Sequence, residues 1–162
     1  MLAVIEPIHG GYVARFERIW KHPVAEVWAF LTNNEKLVKW FPELKARDLR
    51  EGGFMQFDMP NGMQIDMKIT DFQAEAVLAY EWAEDHVRFE LQAAPDGEGC
   101  QLVLIETLSK LTDHTPRDLA GWHVCLDVIE ALLDGRTIER KEEWNKRYPE
   151  YVEALAKINR PT

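Results

Sequence analysis

The carboxylate of Glu106 is the candidate chemical group with the most informative setting in this sequence. Residues 101–108 have the composition of a strand, and because side chains alternate between the two faces of a strand, Leu102, Leu104 and Glu106 share one face. An enclosed carboxylate has to be neutral, paired or hydrogen-bonded, and such groups are typical of functional sites. Two placements are open: an interior cavity, where Glu106 acts as an acid, a base or a ligand contact, or the rim of the sheet, where it is hydrated or paired with an arginine.

His123 is the second group with suitable chemistry, because an imidazole exchanges protons near neutral pH. It follows Trp122 on a predicted helix, about 100° further around the helix axis. Either it faces the same space as Trp122, or it is a hydrogen-bonded residue at the boundary of the buried face. No residue in the sequence is placed to orient Glu106 or His123 for catalysis, so we expect a binding protein rather than an enzyme.

The sequence shows no pattern for metal or cofactor binding. The other histidines are scattered, and His123-Val124-Cys125 lacks the paired spacing of a zinc site. There is no nucleophile elbow, phosphate-binding loop or dinucleotide fingerprint. We therefore expect neither a metal ion nor a cofactor.

Aromatic and aliphatic side chains on neighbouring predicted strands are typical of the walls of an apolar pocket. Tyr80 and Trp82 share one face of their strand, and Phe89 lies between apolar residues on the next. Ordinary core packing would explain the same pattern. If a pocket exists, the predicted ligand-binding residues are Tyr80, Trp82, Phe89, Glu106, Trp122, His123 and Leu126.

A long helix must cover these strands. Its apolar residues recur at intervals of three and four, the period of a helix, with Pro116 at its first position, Thr115 as its N-cap and Gly135 at its C-cap. The residues of this stripe are Leu119, Trp122, Leu126, Ile129 and Leu133.

The remaining elements give the order strand, two short helices, about six strands, long helix. The first strand is predicted at 12–20, and glycine and proline clusters separate the later strands up to Leu108. A last helical segment is predicted at about 138–158, interrupted by Pro149. This order predicts an α+β fold with a curved antiparallel sheet of about six or seven strands wrapped around the long helix.

Length and composition exclude several classes of protein. The 162 residues, 46% of them apolar, suit one domain with a substantial core, at about residues 12–135. A net charge of −9 argues against nucleic-acid partners and anionic membranes. No apolar run is long enough to insert into a membrane, and residues 1–10 lack the features of a signal peptide, so we expect a cytoplasmic protein with both cysteines reduced.

Four motifs occur in order along the chain. They are Phe16-Glu17-Arg18 with Pro23-Val24-Ala25-Glu26-Val27-Trp28, Leu31-Thr32-Asn33 with Trp40-Phe41-Pro42, Arg50-Glu51-Gly52-Gly53-Phe54, and Gly121-Trp122-His123 with Leu126 and Leu132-Leu133. This order resembles the SRPBCC superfamily of START-like and birch-allergen-like proteins, and within it the homologues of the activator of the heat-shock-protein-90 ATPase. The resemblance extends over about residues 12–155.

The resemblance implies a helix-grip fold with a cavity between the sheet and the long helix. Members of the superfamily hold lipids, polyketides or other aromatic molecules there, a minority catalyse cyclisation, dehydration or hydrolysis, and a eukaryotic branch stimulates a chaperone. We therefore expect binding of a small, mostly apolar ligand, with a cyclase- or hydrolase-type enzyme or a chaperone-regulating module as alternatives. A homodimer is also open, through Trp144, Tyr148 and Tyr151, if the last helix leaves these side chains exposed.

Overall fold

The structure, a computed structural model, describes residues 1–158. Within this range it contains one sheet and four helices. The strands are β1 (Val4–Ile8), β2 (Gly11–Trp20), β3 (Leu44–Asp48), β4 (Phe54–Asp58), β5 (Gln64–Gln73), β6 (Val77–Trp82), β7 (Asp85–Ala93) and β8 (Cys100–Leu108). The helices are α1 (Val24–Thr32), α2 (Asn34–Trp40), α3 (Thr115–Leu133) and α4 (Arg140–Ile158).

The predicted α+β helix-grip architecture is confirmed. The strand order is β1-β2-β8-β7-β6-β5-β4-β3, and every neighbouring pair is antiparallel. The register shifts between Ile69 and Asp71 where β5 meets β6, and such bulges bend and twist a sheet. One face of the sheet is buried, and α3 supplies an apolar stripe against it.

The predicted count of six or seven strands is slightly low, because β1 was not among the predicted strands. This strand pairs with β2 from Val4↔Arg15 to Ile8↔Gly11. It lies at the edge of the sheet and is exposed along most of its length, so its sequence lacks the alternation of a half-buried strand. It also contains Pro7, which edge strands tolerate because one side of the strand needs no N–H donor.

Helix α3 begins and ends close to the predicted positions. Thr115 is its first residue rather than its N-cap, and the Thr115 hydroxyl accepts a hydrogen bond from the Thr112 N–H at 2.9 Å. Gly135 adopts a left-handed φ of 73° after the last turn, where its N–H donates to the Leu132 carbonyl, as predicted for a C-cap glycine. The buried stripe runs from Leu119 to Ile129 and includes both Trp122 and Leu126.

Helix α4 continues through Pro149, contrary to the predicted interruption. The helix packs along α3 and buries Tyr151 and Leu155, which lie beyond the proline. This tertiary packing offsets the hydrogen bond that a proline removes from a helix interior.

The two short helices position Phe41 at the opening of the sheet. The Trp40 indole N–H donates to the Phe30 carbonyl at 2.6 Å, which ties α2 to α1. The Asn34 side chain accepts from the Ala46 N–H at 2.8 Å and donates to the Ala46 carbonyl at 3.0 Å, which fixes α2 against β3. Phe41 follows α2 directly and is therefore held at a defined place.

Candidate functional site

Glu106 lies in the interior, so the rim placement considered from the sequence is wrong. The residue faces inward on β8, opposite Ala14 of β2 and Val87 of β7, and it is 0% exposed. Neither carboxylate oxygen makes a hydrogen bond of ordinary geometry among residues 1–158, although the side chains of Asp118 and Trp122 lie within reach of the carboxyl. The alternation of β8 predicted its face, but the sequence could not show that the neighbouring elements close over it.

The surroundings of Glu106 favour its neutral form. Burial raises the pKa of this carboxyl well above its usual value of 4.5, and the neighbouring Asp118 and Asp85 raise it further. The Trp122 indole N–H opposes this effect only in part. Burial and the neighbouring carboxyls therefore favour the protonated form of Glu106, which can donate a hydrogen bond.

Two further buried polar atoms lie on the face of α3 next to Glu106. They are Asp118 Oδ2 and Trp122 Nε1, and apart from the Glu106 carboxyl neither has a hydrogen-bond partner in the described part of the chain. Asp118 and Trp122 are four residues apart, one turn of helix, so their side chains share one face. The other oxygen, Asp118 Oδ1, accepts from the Trp82 indole N–H at 3.3 Å.

Aromatic rings from β6, β7 and α3 form a continuous layer between the sheet and the helix. The ring centroids of Trp82 and Trp122 are 5.0 Å apart, those of Phe89 and Trp122 5.9 Å, and those of Tyr80 and Phe89 6.5 Å. Four of the predicted residues are thus brought together. Leu126 is buried one turn further along α3 from Trp122.

Phe41 and Phe57 belong to the same layer, although the sequence analysis did not select them as site residues. The Phe41 centroid is 5.7 Å from that of Trp82 and 6.0 Å from that of Trp122, and the Phe57 centroid is 5.9 Å from that of Trp82. The signal for Phe41 was the Trp40-Phe41-Pro42 motif. Phe57 follows Met55 at the spacing of one strand face, which could have indicated its position.

Open space is found at the edge of this layer, around Trp82. Three depressions border the Trp82 side chain, with volumes of about 350, 170 and 400 Å³. The first is lined largely by polar residues of the β6–β7 turn and the start of α3, among them Asp85 and Asp118. The smallest is lined by Phe41, Trp82, Asp118, Gly121, Trp122, Cys125 and Arg140. The largest is mainly apolar, and its lining includes Phe57, Met59, Ile65, Met67 and Trp82.

The inner part of the layer is closely packed. Tyr80, Phe89 and Leu126 are each 1% exposed, and they line none of these three depressions. Large side chains therefore fill the hollow that the sequence suggested between the centre of the sheet and α3. The space open to a ligand lies at the mouth of the grip, where Trp82 is only half-buried.

His123 faces α4 rather than the layer around Trp82. It is 1% exposed, so it is fully buried and not at a boundary, and its Nδ1 is 2.7 Å from the Tyr151 hydroxyl. That hydroxyl also accepts from the Ala3 N–H at 3.0 Å, so its own proton is directed at His123. Burial, with the positive charges of Arg18, Arg147 and the N-terminus, lowers the pKa of His123 to about 3. The imidazole is neutral and structural in this position.

The described residues offer little for metal or thiol chemistry. No group of three histidine, cysteine, aspartate or glutamate side chains in residues 1–158 is arranged to hold a metal ion. Cys100 and Cys125 are both buried free thiols, and burial raises the pKa of each to about 11. No helix within the same range is long and apolar enough to cross a membrane.

An antiparallel sheet gripping a long C-terminal helix, with an aromatic layer between them, defines a helix-grip protein of the SRPBCC superfamily. Residues 21–134 match the family described as activator of Hsp90 ATPase homolog 1-like protein, and the chain belongs to that family. No curated protein matches the chain at a significant level.

Solved structures from bacteria share the fold over most of the chain. A conserved protein of unknown function, EF2215 from Enterococcus faecalis, is 25% identical with a TM-score of 0.82, over 98% of this chain and 92% of that one. CalU16 from Micromonospora echinospora is 19% identical with a TM-score of 0.69, over 93% and 94% of the two chains. DynU16, a protein in the dynemicin biosynthetic locus, is 19% identical with a TM-score of 0.64, over 75% of this chain and 47% of that one.

Proposed function

We propose that the protein binds a small, mostly apolar molecule at the mouth of the helix grip, against Trp82. The observation that carries this proposal is the convergence of three depressions on one half-buried tryptophan. The largest of them, about 400 Å³, has an apolar lining and lies within the size range of ligand pockets. The family membership and the structural likeness to a biosynthetic-locus protein support the same class of function.

The predicted residues take different parts in this proposal. Trp82 and Trp122 line the open space and contact the ligand. Tyr80, Phe89 and Leu126 form the packed wall behind them, and Glu106 lies beside that wall. We leave His123 out of the ligand site because its ring packs against Tyr151.

Apolar contact alone gives the proposed site weak affinity. Burying about 200 Å² of ligand apolar surface contributes roughly 5 kcal/mol before the cost of immobilising the ligand. Without that cost the dissociation constant would be about 0.2 mM, and the cost weakens the binding further. Tighter binding therefore requires additional polar contacts or a closer fit.

The test uses N-phenyl-1-naphthylamine, a neutral apolar probe whose fluorescence increases on leaving water. We expect saturable binding to the wild-type protein and at least about tenfold weaker binding to Trp82→Ala, because the indole supplies much of the contact area. Trp144→Ala is the matched control, since Trp144 stacks on Tyr148 of α4 and borders none of the three depressions. Absence of saturable binding, or equal loss in both variants, would contradict the proposal.

Native mass spectrometry of the freshly purified protein provides an independent test. A small molecule that co-purifies with the wild-type protein and is lost from Trp82→Ala would identify the natural ligand at the proposed site. A co-purified molecule retained equally by Trp82→Ala would place the binding elsewhere.

One observation favours a second candidate function, an enzyme that uses acid catalysis. Glu106 is a buried carboxyl next to Asp118 whose surroundings raise its pKa, and paired carboxyls of this kind serve as general acids when a substrate lies within reach. Turnover of a substrate identified through the co-purified ligand should then fall by a factor of about 100 or more in Glu106→Gln. Unchanged turnover in that variant would exclude the role.

A further inference from the structure

The mouth of the grip contains a group of polar atoms that the apolar binding proposal does not use. Glu106 Oε1 and Oε2, Asp118 Oδ2 and Trp122 Nε1 are all buried, and apart from one another they have no hydrogen-bond partners in the described chain. Glu106 of β8 is fully buried, and its neighbours Asp118 and Trp122 lie on α3. An unpaired buried polar atom costs about 1–3 kcal/mol, so a buried cluster whose only possible partners are its own members requires an explanation.

Asp118 and Trp122 border the proposed ligand space, and Glu106 lies behind them. Asp118 lines two of the three depressions around Trp82, those of about 350 and 170 Å³, and Trp122 lines the smaller of these. Trp82 is hydrogen-bonded to Asp118, so the polar group and the aromatic layer are directly connected. A ligand seated against Trp82 would bring its polar substituent next to Asp118 and Trp122.

We infer that Glu106, Asp118 and Trp122 form a subsite that recognises a hydroxyl group on an otherwise apolar ligand. This inference rests on the proposed function, because it assigns the chemical class of the molecule bound there. The ligand hydroxyl accepts a hydrogen bond from the Trp122 indole N–H and donates one to Asp118 Oδ2. The Glu106 carboxylic acid supplies a second donor to the hydroxyl oxygen of the ligand.

Other polar substituents complement this subsite less well. An ether or a ketone accepts from Trp122 but leaves Asp118 Oδ2 unpaired, because neither group has a proton to donate. A carboxylate is repelled by Asp118, although Arg140 on the wall of the smaller depression would attract it. The Arg140 guanidinium already donates to the Trp40 carbonyl, which occupies part of its hydrogen-bonding capacity. Among these groups, a hydroxyl is the one that pairs with both the Trp122 indole N–H and Asp118 Oδ2.

The experiment compares four naphthalenes that differ only at position 2. The hydroxyl compound is 2-naphthol, and its partners are 2-methylnaphthalene, 2-methoxynaphthalene and 2-naphthoate. Their affinities are measured by displacement of N-phenyl-1-naphthylamine from the wild-type protein at pH 7. We expect 2-naphthol to bind at least about tenfold tighter than the methyl compound, since a site with unpaired polar atoms discriminates strongly against an analogue that cannot pair them. The methoxy compound should fall between them.

Substitutions then assign the preference to the subsite. Trp122→Phe removes the indole donor and retains an aromatic ring, and it should reduce the preference for 2-naphthol to less than about threefold. Trp20→Phe is the matched control, because Trp20 Nε1 is also buried without a partner in the described chain but lies on β2, away from the three depressions. That variant should keep the full preference.

A measurement on the wild-type protein avoids dependence on variant folding. In a ¹H–¹⁵N spectrum of the indole groups, 2-naphthol should move the Trp122 Nε1–H resonance downfield and 2-methylnaphthalene should not. Equal affinities for the naphthol and methyl compounds, with displacement of the probe intact, would overturn the subsite and leave the proposed function standing. Tightest binding by 2-naphthoate would also overturn it, in favour of an anion site at Arg140. Failure of N-phenyl-1-naphthylamine to bind would reject both proposals.

Discussion

Glu106 connects the chemistry of one residue to the stability of the molecule. Its folded state keeps a proton that the unfolded chain releases near the usual pKa of 4.5, because burial and two neighbouring carboxylates disfavour the charged form. Above that pH the folded state therefore binds more protons than the unfolded chain. The free energy of unfolding contributed by this group falls as the pH rises, until the folded carboxyl also ionises.

This linkage gives a testable prediction for Glu106→Gln, which replaces the acid by a neutral side chain of the same size. Between pH 5 and 8, urea denaturation should show a larger decline in the free energy of unfolding for the wild-type protein than for Glu106→Gln. Glu51→Gln is the control, because Glu51 is exposed in the turn before β4. The two substitutions should differ in pH dependence, and parallel curves for wild type and Glu106→Gln would show that Glu106 does not retain its proton on folding.

The contrast between Glu106 and His123 shows what the sequence can determine at the scale of one residue. Strand alternation predicted that Glu106 shares a face with Leu102 and Leu104, because a period of two is fixed by backbone geometry. Alternation could not predict how deeply Glu106 is buried, since that depends on α3 covering β8. For His123, the position relative to Trp122 was predictable, but its partner Tyr151 lies 28 residues away on α4. Partners distant in the sequence carry no local signal.

At the scale of secondary structure elements, alanine substitutions at two glycines of the C-terminal half should have opposite effects on the stability of α3. Gly135 has a φ of 73° after the end of the helix, and a Cβ in this left-handed region costs about 1 kcal/mol. Gly121 lies within the helix, and a Cβ built there meets nothing within 4 Å. An alanine at that position lowers the conformational entropy of the unfolded chain without a clash.

We therefore expect Gly135→Ala to lower the free energy of unfolding by about 1 kcal/mol and Gly121→Ala to raise it by about 0.5–1 kcal/mol. Thermal or urea denaturation at pH 7 checks both variants, and each serves as the other's control. Destabilisation by Gly121→Ala would mean that the wall of the small depression cannot accept a methyl group. No effect of Gly135→Ala would mean that the C-cap tolerates a different backbone conformation.

The elements that the sequence predicted well are those with a periodic buried face. The buried stripe of α3 and the alternation of the central strands both arise from one-sided burial, which leaves a regular pattern. Strand β1 and the continuation of α4 through Pro149 have no such signal. The first is stabilised by pairing with β2 and the second by packing on α3, and both are interactions between elements distant in sequence.

At the scale of the whole molecule, the sequence indicated the fold but not the location of its open space. The motif order and the run of strands before a helix were enough for the helix-grip architecture. Whether the grip encloses a hollow depends on how large side chains from several strands fill it. Tyr80, Phe89 and Leu126 fill the interior, and the remaining open space lies beside Trp82 at the mouth of the grip. Side-chain volume and the curvature of the sheet decide this outcome together.

The protection of both sheet edges argues against self-association through strands. At one edge, β1 contains Glu6 and Pro7, a charge and a residue without an N–H donor, which both oppose pairing with another strand. At the other edge, the side chain of Asn34 occupies both the N–H and the carbonyl of Ala46 in β3. Neither edge offers an uninterrupted row of free backbone groups.

The aromatic residues of α4 present little apolar surface for an interface, and we predict that the protein is a monomer. Tyr151 is 0% exposed and is hydrogen-bonded to His123 and Ala3, which removes one of the three residues considered for a dimer. Trp144 and Tyr148 stack on each other with their centroids 4.9 Å apart and are half-buried. The net charge of −9 adds mutual repulsion between copies.

Sedimentation equilibrium should give the mass of one chain over a hundredfold range of concentration, in both low and high salt. A dimer that appears only at high salt would show that charge repulsion alone prevents association, and a dimer under all conditions would contradict the prediction.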